Sequence, residues 1–294
     1  MFNKVVIIGT GLLGGSLGID LKVRQLAKQV VGVCRSEETA RLAIEKGVVD
    51  RCDTLESAVQ GADLIVLATP MQAMLPIFRQ LEICVEPHTI ITDVGSVKTS
   101  LYKQVAEHVP GVLRQCVFAH PIAGGEHSGV QAARGGLFKN KHVIITNTPE
   151  SVAANTLKVT RMWQDLECRV LELGLEEHDA IFAKTSHLPH VIAFTLVNYL
   201  SQQTDRQQLF DLAAAGFYDF TRIASSDAQM WRDICITNKD QVLDALRGFK
   251  QQIEAIESKV ESAEQEGILT YFEAAKQARD SGLLNKARSV LDDT

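Results

Sequence analysis

The N-terminal stretch Val5-Val-Ile-Ile-Gly9-Thr-Gly11-Leu-Leu-Gly14-Gly-Ser16 decides the fold, because an apolar run leads directly into glycines spaced G-x-G-x-x-G. Such a run is typical of a buried parallel strand. Gly9 permits the tight turn from strand to helix, Gly11 lets a pyrophosphate approach the backbone, and Gly14 allows close helix packing. A tight turn without a ligand is the alternative.

The segments that follow favour the ligand site, since a helix from Leu12 to Leu26 and a second strand at Gln29 to Val33 complete a βαβ unit. We therefore predict a dinucleotide site that includes Gly9, Thr10, Gly11, Leu12, Leu13 and Gly14, together with Thr69 after a later strand.

The second strand ends in Val33-Cys34-Arg35-Ser36, where a site for NAD usually carries an acid that binds the ribose 2′-hydroxyl. No acid stands there, and Arg35 and Ser36 could instead receive a 2′-phosphate, so NADP is favoured. If Arg35 is only a solvated surface charge, the cofactor is NAD or either of the two.

The composition indicates a globular protein of about two domains, with 294 residues of which 46% are hydrophobic and 22% charged. Six scattered cysteines show no C-x-x-C or metal-ligand spacing, so we expect reduced thiols in a cytoplasmic protein and no metal. We expect no signal peptide and no membrane helix, since no apolar run approaches the ~20 residues that a span needs. The sequence contains no stripe of basic residues, so we expect no nucleic-acid partner.

Five further strands are recognisable up to Arg169–Leu173, with helical patterns between most of them, as in a doubly wound α/β sheet. From Leu175 onward only helices are predicted. We therefore expect an N-terminal Rossmann-type domain, 1–174, and an all-α C-terminal domain, 175–294. One long helix has an apolar stripe, which either packs within the domain or forms an interlocked dimer: Leu246, Phe249, Ile253, Ile256, Val260 and Ala263.

Five motifs in order resemble the prephenate/arogenate dehydrogenase family of tyrosine biosynthesis. They are Gly9-Thr-Gly11-Leu-Leu-Gly14-Gly, Thr92-Asp-Val-Gly-Ser96-Val-Lys98, His120-Pro-Ile-Ala-Gly124, Ser186-His187-Leu-Pro-His190 and Gly216-Phe-Tyr-Asp219-Phe-Thr-Arg222-Ile-Ala. The resemblance implies a Rossmann domain followed by a helical dimerisation domain, hence a homodimer. It also implies NAD(P)-dependent oxidative decarboxylation of prephenate to 4-hydroxyphenylpyruvate, or of arogenate in some relatives.

The resemblance assigns two catalytic residues. His120 matches the family's catalytic histidine, and a neutral imidazole can accept the substrate's hydroxyl proton as the carbonyl forms. Its position at the carboxyl end of a predicted strand is also where ligands bind. Ser96 matches the serine that hydrogen-bonds both histidine and substrate; without that match it reads as a helix N-cap.

The resemblance also implies a substrate pocket. Arg222 matches the substrate-binding arginine, whose planar fork holds a carboxylate, and Asp219 lies three residues earlier, within reach to orient it. His187 and His190 share a helix face, so their ring donors could point into one pocket; alternatively, one caps the helix and only the other contacts the ligand. Trp231 either forms a wall of the pocket for the substrate ring or is part of the buried core. Glu126 is assigned to the pocket rim.

Two other functions remain open. A dehydrogenase of the β-hydroxyacid type would depend on a lysine, and Lys184 is the lysine near the predicted catalytic patch. The other function is that of a redox sensor that binds a dinucleotide without catalysis; it would leave His120, His190 and Arg222 without a role. Within the favoured family, prephenate is preferred over arogenate, because no acid is obviously reserved for an ammonium group.

Overall fold

A computed structural model describes the backbone of residues 1–125 and 127–291 and the side chains up to residue 282. Eight strands form one sheet in the order β3-β2-β1-β4-β5-β6-β7-β8. The strands are β1 (Phe2–Ile8), β2 (Ala27–Val33), β3 (Arg51–Cys52), β4 (Leu64–Leu67), β5 (Ile90–Asp93), β6 (Cys116–Pro121), β7 (His142–Thr146) and β8 (Arg169–Leu173). The predicted doubly wound α/β sheet is confirmed, although β7 pairs antiparallel with β6 and the two-residue β3 was not predicted.

Helices alternate with most strands and then follow one another after β8. In chain order they are α1 (Leu12–Val23), α2 (Glu37–Glu45), α3 (Leu55–Val59), α4 (Met71–Cys84), α5 (Thr99–His108), α6 (Ala153–Asp165), α7 (Leu175–Phe182), α8 (Leu188–Ser201), α9 (Arg206–Asp211), α10 (Ala215–Thr221), α11 (Ala228–Thr237), α12 (Lys239–Glu261) and α13 (Gln265–Leu291).

Each face of the sheet carries its own apolar core. Val5 and Ile7 belong to one cluster with α1 and α6, whereas Val6 and Ile8 belong to the other with α3, α4 and α5. Successive strand residues point to opposite faces, so a strand covered by helices on both sides must be apolar throughout. This explains the unbroken run that opens the chain.

The strand order places a crevice at the carboxyl ends of β1 and β4, because β2 lies on one side of β1 and β4 on the other. In open α/β sheets, ligands bind outside the carboxyl ends of the strands at such a reversal of order. The carboxyl ends of β5 and β6 lie at the same edge, since β4, β5 and β6 are parallel. The motifs after these strands therefore meet there.

The secondary structure changes from strands to helices between Leu173 and Leu175, where the sequence predicts it. Chain contacts divide the protein into two compact units, residues 1–242 and a second one that starts at Leu243. The helices α7 to α11 thus belong to the same compact unit as the sheet.

Residues 175–201, a continuous helical stretch, are long and apolar enough to cross a membrane by length and composition, with a mean hydropathy of 1.2. This differs from the expectation that no apolar stretch is long enough to span a membrane. The criterion alone is weak evidence, since core helices meet it as well. The stretch also carries His178 and Asp179, which are buried in polar contacts with α5 and β6 residues.

Candidate active site

The glycine loop after β1 fits a dinucleotide. Gly9 has a φ of +95°, and a Cβ there would lie 2.6 Å from the carbonyl oxygen of Ala68, so only glycine is accommodated. A Cβ on Gly11 would meet nothing within 4 Å, which leaves open space at the start of α1. No side chain caps this helix, so its first N–H groups are available to a phosphate.

Thr69 adds a polar group to the same crevice. Its hydroxyl oxygen is buried and has no hydrogen-bond partner among the described residues. Because a buried hydroxyl without a partner is costly, a ligand that hydrogen-bonds here would be favoured. Thr10 differs, since its hydroxyl lies 3.2 Å from the Cys34 sulfur.

The residues expected to bind the 2′ position of the cofactor's ribose follow β2. The Arg35 side chain is exposed. Ser36 is the N-cap of α2, where its hydroxyl accepts a hydrogen bond from the Thr39 N–H at 3.2 Å. The Ser36 hydroxyl accepts this hydrogen bond as a helix cap and can still donate its own proton, so Arg35 and Ser36 both remain candidates for the predicted recognition of a 2′-phosphate.

His120 lies at the carboxyl end of β6 and is linked to the first helix after the sheet. Its Nδ1 lies 2.9 Å from Nε2 of His178, and His178 Nδ1 lies 2.7 Å from the Asp179 carboxylate. The ring of Phe182 packs edge-on against His120, with 5.0 Å between centroids. Burial, and then the neighbouring His178 and Lys98, hold the pKa of His120 well below its ordinary value, so His120 is neutral at physiological pH.

A buried ion pair fixes the backbone beside His120. Lys98 and Asp93 form this pair with both side chains almost fully buried. Lys98 Nζ also donates to the carbonyl oxygen of Ala119 at 2.7 Å, and Asp93 accepts from the Ala119 N–H at 3.2 Å. The two peptide groups that flank Ala119, the residue before His120, are therefore both held, and hydrogen bonds of this kind satisfy the buried charges.

Ser96 lies in the loop between β5 and α5, in sequence between the two residues of the buried ion pair, Asp93 and Lys98. It is half-buried and is not the N-cap of α5, because the helix begins at Thr99 and Lys98 occupies the capping position. The N-cap alternative for Ser96 is therefore wrong.

A second group consists of His187 just before α8, His190 on α8 and Trp231 on α11. The His190 ring stacks on Trp231 with 3.7 Å between centroids, and the His187 ring meets Trp231 edge-on at 6.1 Å. Trp231 is buried beside Val97 and Ile234, so it is both core and a wall for His190. Its indole N–H has no partner in the described part of the chain.

The two histidines differ in what they can offer a ligand. His190 Nδ1 donates to the Ser186 carbonyl oxygen at 2.9 Å, so a neutral His190 has only an acceptor left, at Nε2. The expectation that both rings present donors is wrong for neutral His190. The Asn238 amide nitrogen donates to the Asp179 carbonyl oxygen and to His187 Nδ1, at 3.0 and 3.2 Å, so His187 retains a donor at Nε2.

Arg222 and Asp219 lie at the end of α10, both exposed. The turn Arg222–Ser225 packs against α8, and the positive charge of Arg222 contributes, after burial, to a lowered pKa of His190. Arg222 is therefore close to the histidine group, as the sequence predicts. Glu126 lies outside the described residues.

Sequence patterns alone do not point to four residues of this site, which are His178, Asp179, Lys98 and Asn238. A signal existed for Lys98, because it closes the recognised motif Thr92-Asp-Val-Gly-Ser96-Val-Lys98. His178 and Asp179 follow Glu176 and Glu177 in one polar run, so nothing local marks them as a buried pair.

Comparisons with known proteins agree with this arrangement. Residues 17–172 match the family described as "Prephenate dehydrogenase, nucleotide-binding domain", and residues 175–274 match "Prephenate dehydrogenase, dimerization domain". A prephenate dehydrogenase of Bacillus subtilis is 35% identical over 286 residues, which are 95% of this chain and 76% of that protein.

Solved structures give the same picture. A prephenate dehydrogenase from Aquifex aeolicus, in complex with hydroxyphenyl propionate and NAD+, superimposes with a TM-score of 0.89 at 32% identity, covering 95% of this chain and 98% of that one. An arogenate dehydrogenase from Synechocystis has a TM-score of 0.79 at 26% identity, covering 95% and 99%. Two family matches that together span most of the sequence, and a relative that is 35% identical over 95% of this chain, show that this chain belongs to the prephenate dehydrogenase family.

Proposed function

We propose that this protein is an NAD(P)-dependent prephenate dehydrogenase that converts prephenate to 4-hydroxyphenylpyruvate in tyrosine biosynthesis. The observation that carries the proposal is the neutral His120 at the carboxyl edge of the sheet, the edge that also carries a glycine loop fit for a dinucleotide. A neutral imidazole held by its Nδ1 is suited to accept a hydroxyl proton. Family membership supports the same reaction.

The glycine loop after β1 would hold the dinucleotide, which would supply the hydride acceptor for the carbinol carbon of the substrate ring. His120 accepts the hydroxyl proton as the carbonyl forms, and Ser96 hydrogen-bonds the same hydroxyl. Loss of carbon dioxide then makes the ring aromatic, which drives the reaction. The protein's task is to orient the groups and to hold the substrate without protonating its carboxylates.

Arg222 binds a substrate carboxylate in this proposal, and the rings of His187, His190 and Trp231 line the pocket. The His187 Nε2–H is a donor for a carboxylate or keto oxygen. His190 contributes an acceptor while neutral, and it becomes a donor if a bound carboxylate raises its pKa enough to protonate it. Asp219 orients the guanidinium of Arg222 in this proposal, or closes a gate with another charged group.

The cofactor preference depends on Arg35. We propose NADP as the favoured cofactor because no acid follows β2 and Arg35 is exposed there. NAD is the alternative, and it is the cofactor in the solved Aquifex relative. The difference between the two cofactors is assigned to Arg35 and Ser36, whose hydroxyl accepts a hydrogen bond in capping α2 and can still donate one to a phosphate.

Arogenate, or both substrates, is the second candidate for the substrate. It differs from prephenate at one polar end, where an ammonium replaces the keto oxygen. The neutral His190 Nε2 favours this candidate, since it is an acceptor that an ammonium could use. The cationic Arg222 and the donor on His187 favour prephenate. The β-hydroxyacid type has less support, because Lys184 is exposed while the polar contacts converge on His120.

We further propose a homodimer formed through the helical part, in the cytoplasm. In the first compact unit, Leu212, Ile236 and Tyr199 are 76%, 63% and 61% exposed. In the second, Ile253, Val260 and Phe272 are 48%, 61% and 57% exposed. Apolar side chains in such numbers favour burial against a partner surface. Sedimentation should give twice the 32.3 kDa chain mass; a monomer at micromolar concentration would contradict the dimer.

The test of the function is an assay that crosses prephenate and arogenate with NAD and NADP and follows formation of the reduced cofactor. We expect turnover with prephenate and a higher kcat/KM than with arogenate. Absence of turnover in all four mixtures, by protein that binds a dinucleotide in a titration, would reject the proposal.

A further inference from the structure

We propose that His178 and Asp179 are positioning residues that hold His120 in the Nδ1–H tautomer, so that its Nε2 is the bare nitrogen that accepts the substrate proton. The use of that nitrogen rests on the proposed function. The tautomer itself needs no substrate and can be measured separately.

The assignment begins at Asp179. Its carboxylate accepts hydrogen bonds from the backbone N–H groups of Lys98 and Thr99, at 2.9 and 2.8 Å, and lies 2.7 Å from His178 Nδ1. Burial opposes ionisation, but the hydrogen bonds from His178, Lys98 and Thr99 outweigh it and lower the pKa of Asp179. An ionised carboxylate can only accept, so the proton in this contact belongs to His178 Nδ1.

The second step concerns His178. Burial lowers its pKa despite the hydrogen bond to Asp179, so the ring is neutral and carries one proton, which is at Nδ1. Its Nε2 is therefore an acceptor. The atom facing it is Nδ1 of His120, at 2.9 Å, which must donate.

The third step fixes His120. The titratable groups that act on it are His178, Lys98 and His187, with Asp93 and Asp179 behind them as partners of Lys98 and His178. Burial is the largest influence and keeps the ring neutral. With its single proton at Nδ1, His120 has its lone pair at Nε2.

The same arrangement accounts for the proton during the reaction. The substrate O–H bond breaks, a new N–H bond forms at His120 Nε2, and the ring becomes an imidazolium. Its Nδ1–H then points through His178 toward the Asp179 carboxylate, which stabilises the positive charge. The hydride leaves the carbinol carbon for the dinucleotide of the proposed function, and the imidazolium returns its proton to the phenolate oxygen after carbon dioxide has left. An aspartate that orients a histidine acts on its tautomer and its charge in this way.

A purely structural role for His178 makes a different prediction. Its ring packs against Phe182 with 4.7 Å between centroids, so a phenylalanine could preserve the packing while it removes both hydrogen bonds. A glutamine at this position can donate its amide N–H to Asp179 and present its oxygen to His120 Nδ1–H. His178→Phe and His178→Gln therefore separate packing from the hydrogen-bond chain.

The first measurement is the tautomer of His120 in the unmodified protein, read from two-bond 15N–1H correlations after labelling of its eight histidines. The His120 signals are those that vanish in His120→Asn. We expect a protonated Nδ1 and a bare Nε2, retained in His178→Gln and lost in His178→Phe. A neutral His120 protonated at Nε2 in the unmodified protein would overturn the proposal, whether or not prephenate is oxidised.

The second measurement is kinetic. We expect His178→Phe to lower kcat at least about 100-fold with KM for prephenate within about threefold, and His178→Gln to remain within about tenfold of the unmodified kcat. His88→Phe is the matched control, because His88 is exposed before β5 at the opposite edge of the sheet. Thermal unfolding shows whether both variants are folded. Equal losses of kcat in folded His178→Phe and His178→Gln would refute the positioning role of His178 and Asp179. If neither the unmodified protein nor a variant turns over prephenate while the tautomers are as expected, the proposed function fails, but the positioning of His120 by His178 and Asp179 stands.

Discussion

A Cβ on Gly14 would lie 2.0 Å from the carbonyl oxygen of Gly9, so the first turn of α1 is in direct contact with the loop that precedes it. The same Cβ would lie 2.8 Å from the Ala68 side chain. Close approach of helix and strand, and not only chain flexibility, therefore requires the third glycine of the motif.

This contact separates folding from binding within one motif. We expect Gly14→Ala to destabilise the protein by about 1–3 kcal/mol or more through overpacking. Gly11→Ala should leave the thermal midpoint nearly unchanged, since its Cβ meets nothing within 4 Å, but weaken dinucleotide binding by crowding the phosphate. Thermal unfolding and a fluorescence titration measure the two effects. Gly248→Ala, in an open helical position, is the control; equal stability of the Gly11 and Gly14 variants would contradict this reading.

Replacing the proposed base should abolish catalysis without affecting the cofactor. His120→Asn is expected to lower kcat by roughly two to four decades, the range for loss of a general base, with dinucleotide affinity nearly unchanged. Steady-state kinetics and a binding titration test this, with His88→Asn as the control. A kcat within about threefold of the unmodified protein would remove His120 from the mechanism.

The cofactor preference should respond to one side chain. If Arg35 binds a 2′-phosphate, Arg35→Ala weakens NADP by roughly tenfold or more and leaves NAD unchanged, because only NADP loses a charge-assisted contact. Arg41→Ala, whose exposed side chain lies on α2, is the control. Equal effects on the two dinucleotides would show that Arg35 does not recognise the phosphate.

Substrate binding should depend on the guanidinium of Arg222. Arg222→Ala is expected to raise KM for prephenate strongly, because a carboxylate loses its partner, and Arg222→Lys should recover part of the loss, since it keeps the charge without the planar fork. The exposed Arg206 on α9 supplies the control, Arg206→Ala. The assignment of the pocket fails if Arg222→Ala is kinetically silent or if arogenate is the better substrate.

Stability should fall as the solution becomes acidic. Burial lowers the pKa of His187 from 6.5 to about 4, so between these values the unfolded chain binds a proton that the folded chain does not. The free energy of unfolding therefore decreases as pH falls through this window, by about 3 kcal/mol for His187 alone at the lower end. Urea unfolding at pH 7 and pH 4.5 should show the loss. The loss of unfolding free energy between the two pH values should be smaller in His187→Gln than in His88→Gln. Identical losses would contradict the assignment of this pH dependence to His187.

The sequence by itself determined the framework of this protein. The apolar run before Gly9 required a strand buried on both faces, and the glycine spacing required the turn and the close packing of α1, because these are local constraints that few residues satisfy. The strand at Cys116 and the change to helices at Leu175 could be located for the same reason. His120 and Arg222 were found through motifs.

The tertiary structure decided what surrounds those residues. Asp179 is 59 residues away from His120 along the chain, and Lys98 is 22 away, so no local pattern reveals that both help to hold one imidazole. The antiparallel pairing of β7 with β6 is likewise an outcome of packing. Hydrogen bonds between distant elements form only once the hydrophobic layers have brought them together, and in this protein they determine which nitrogen of His120 carries the proton.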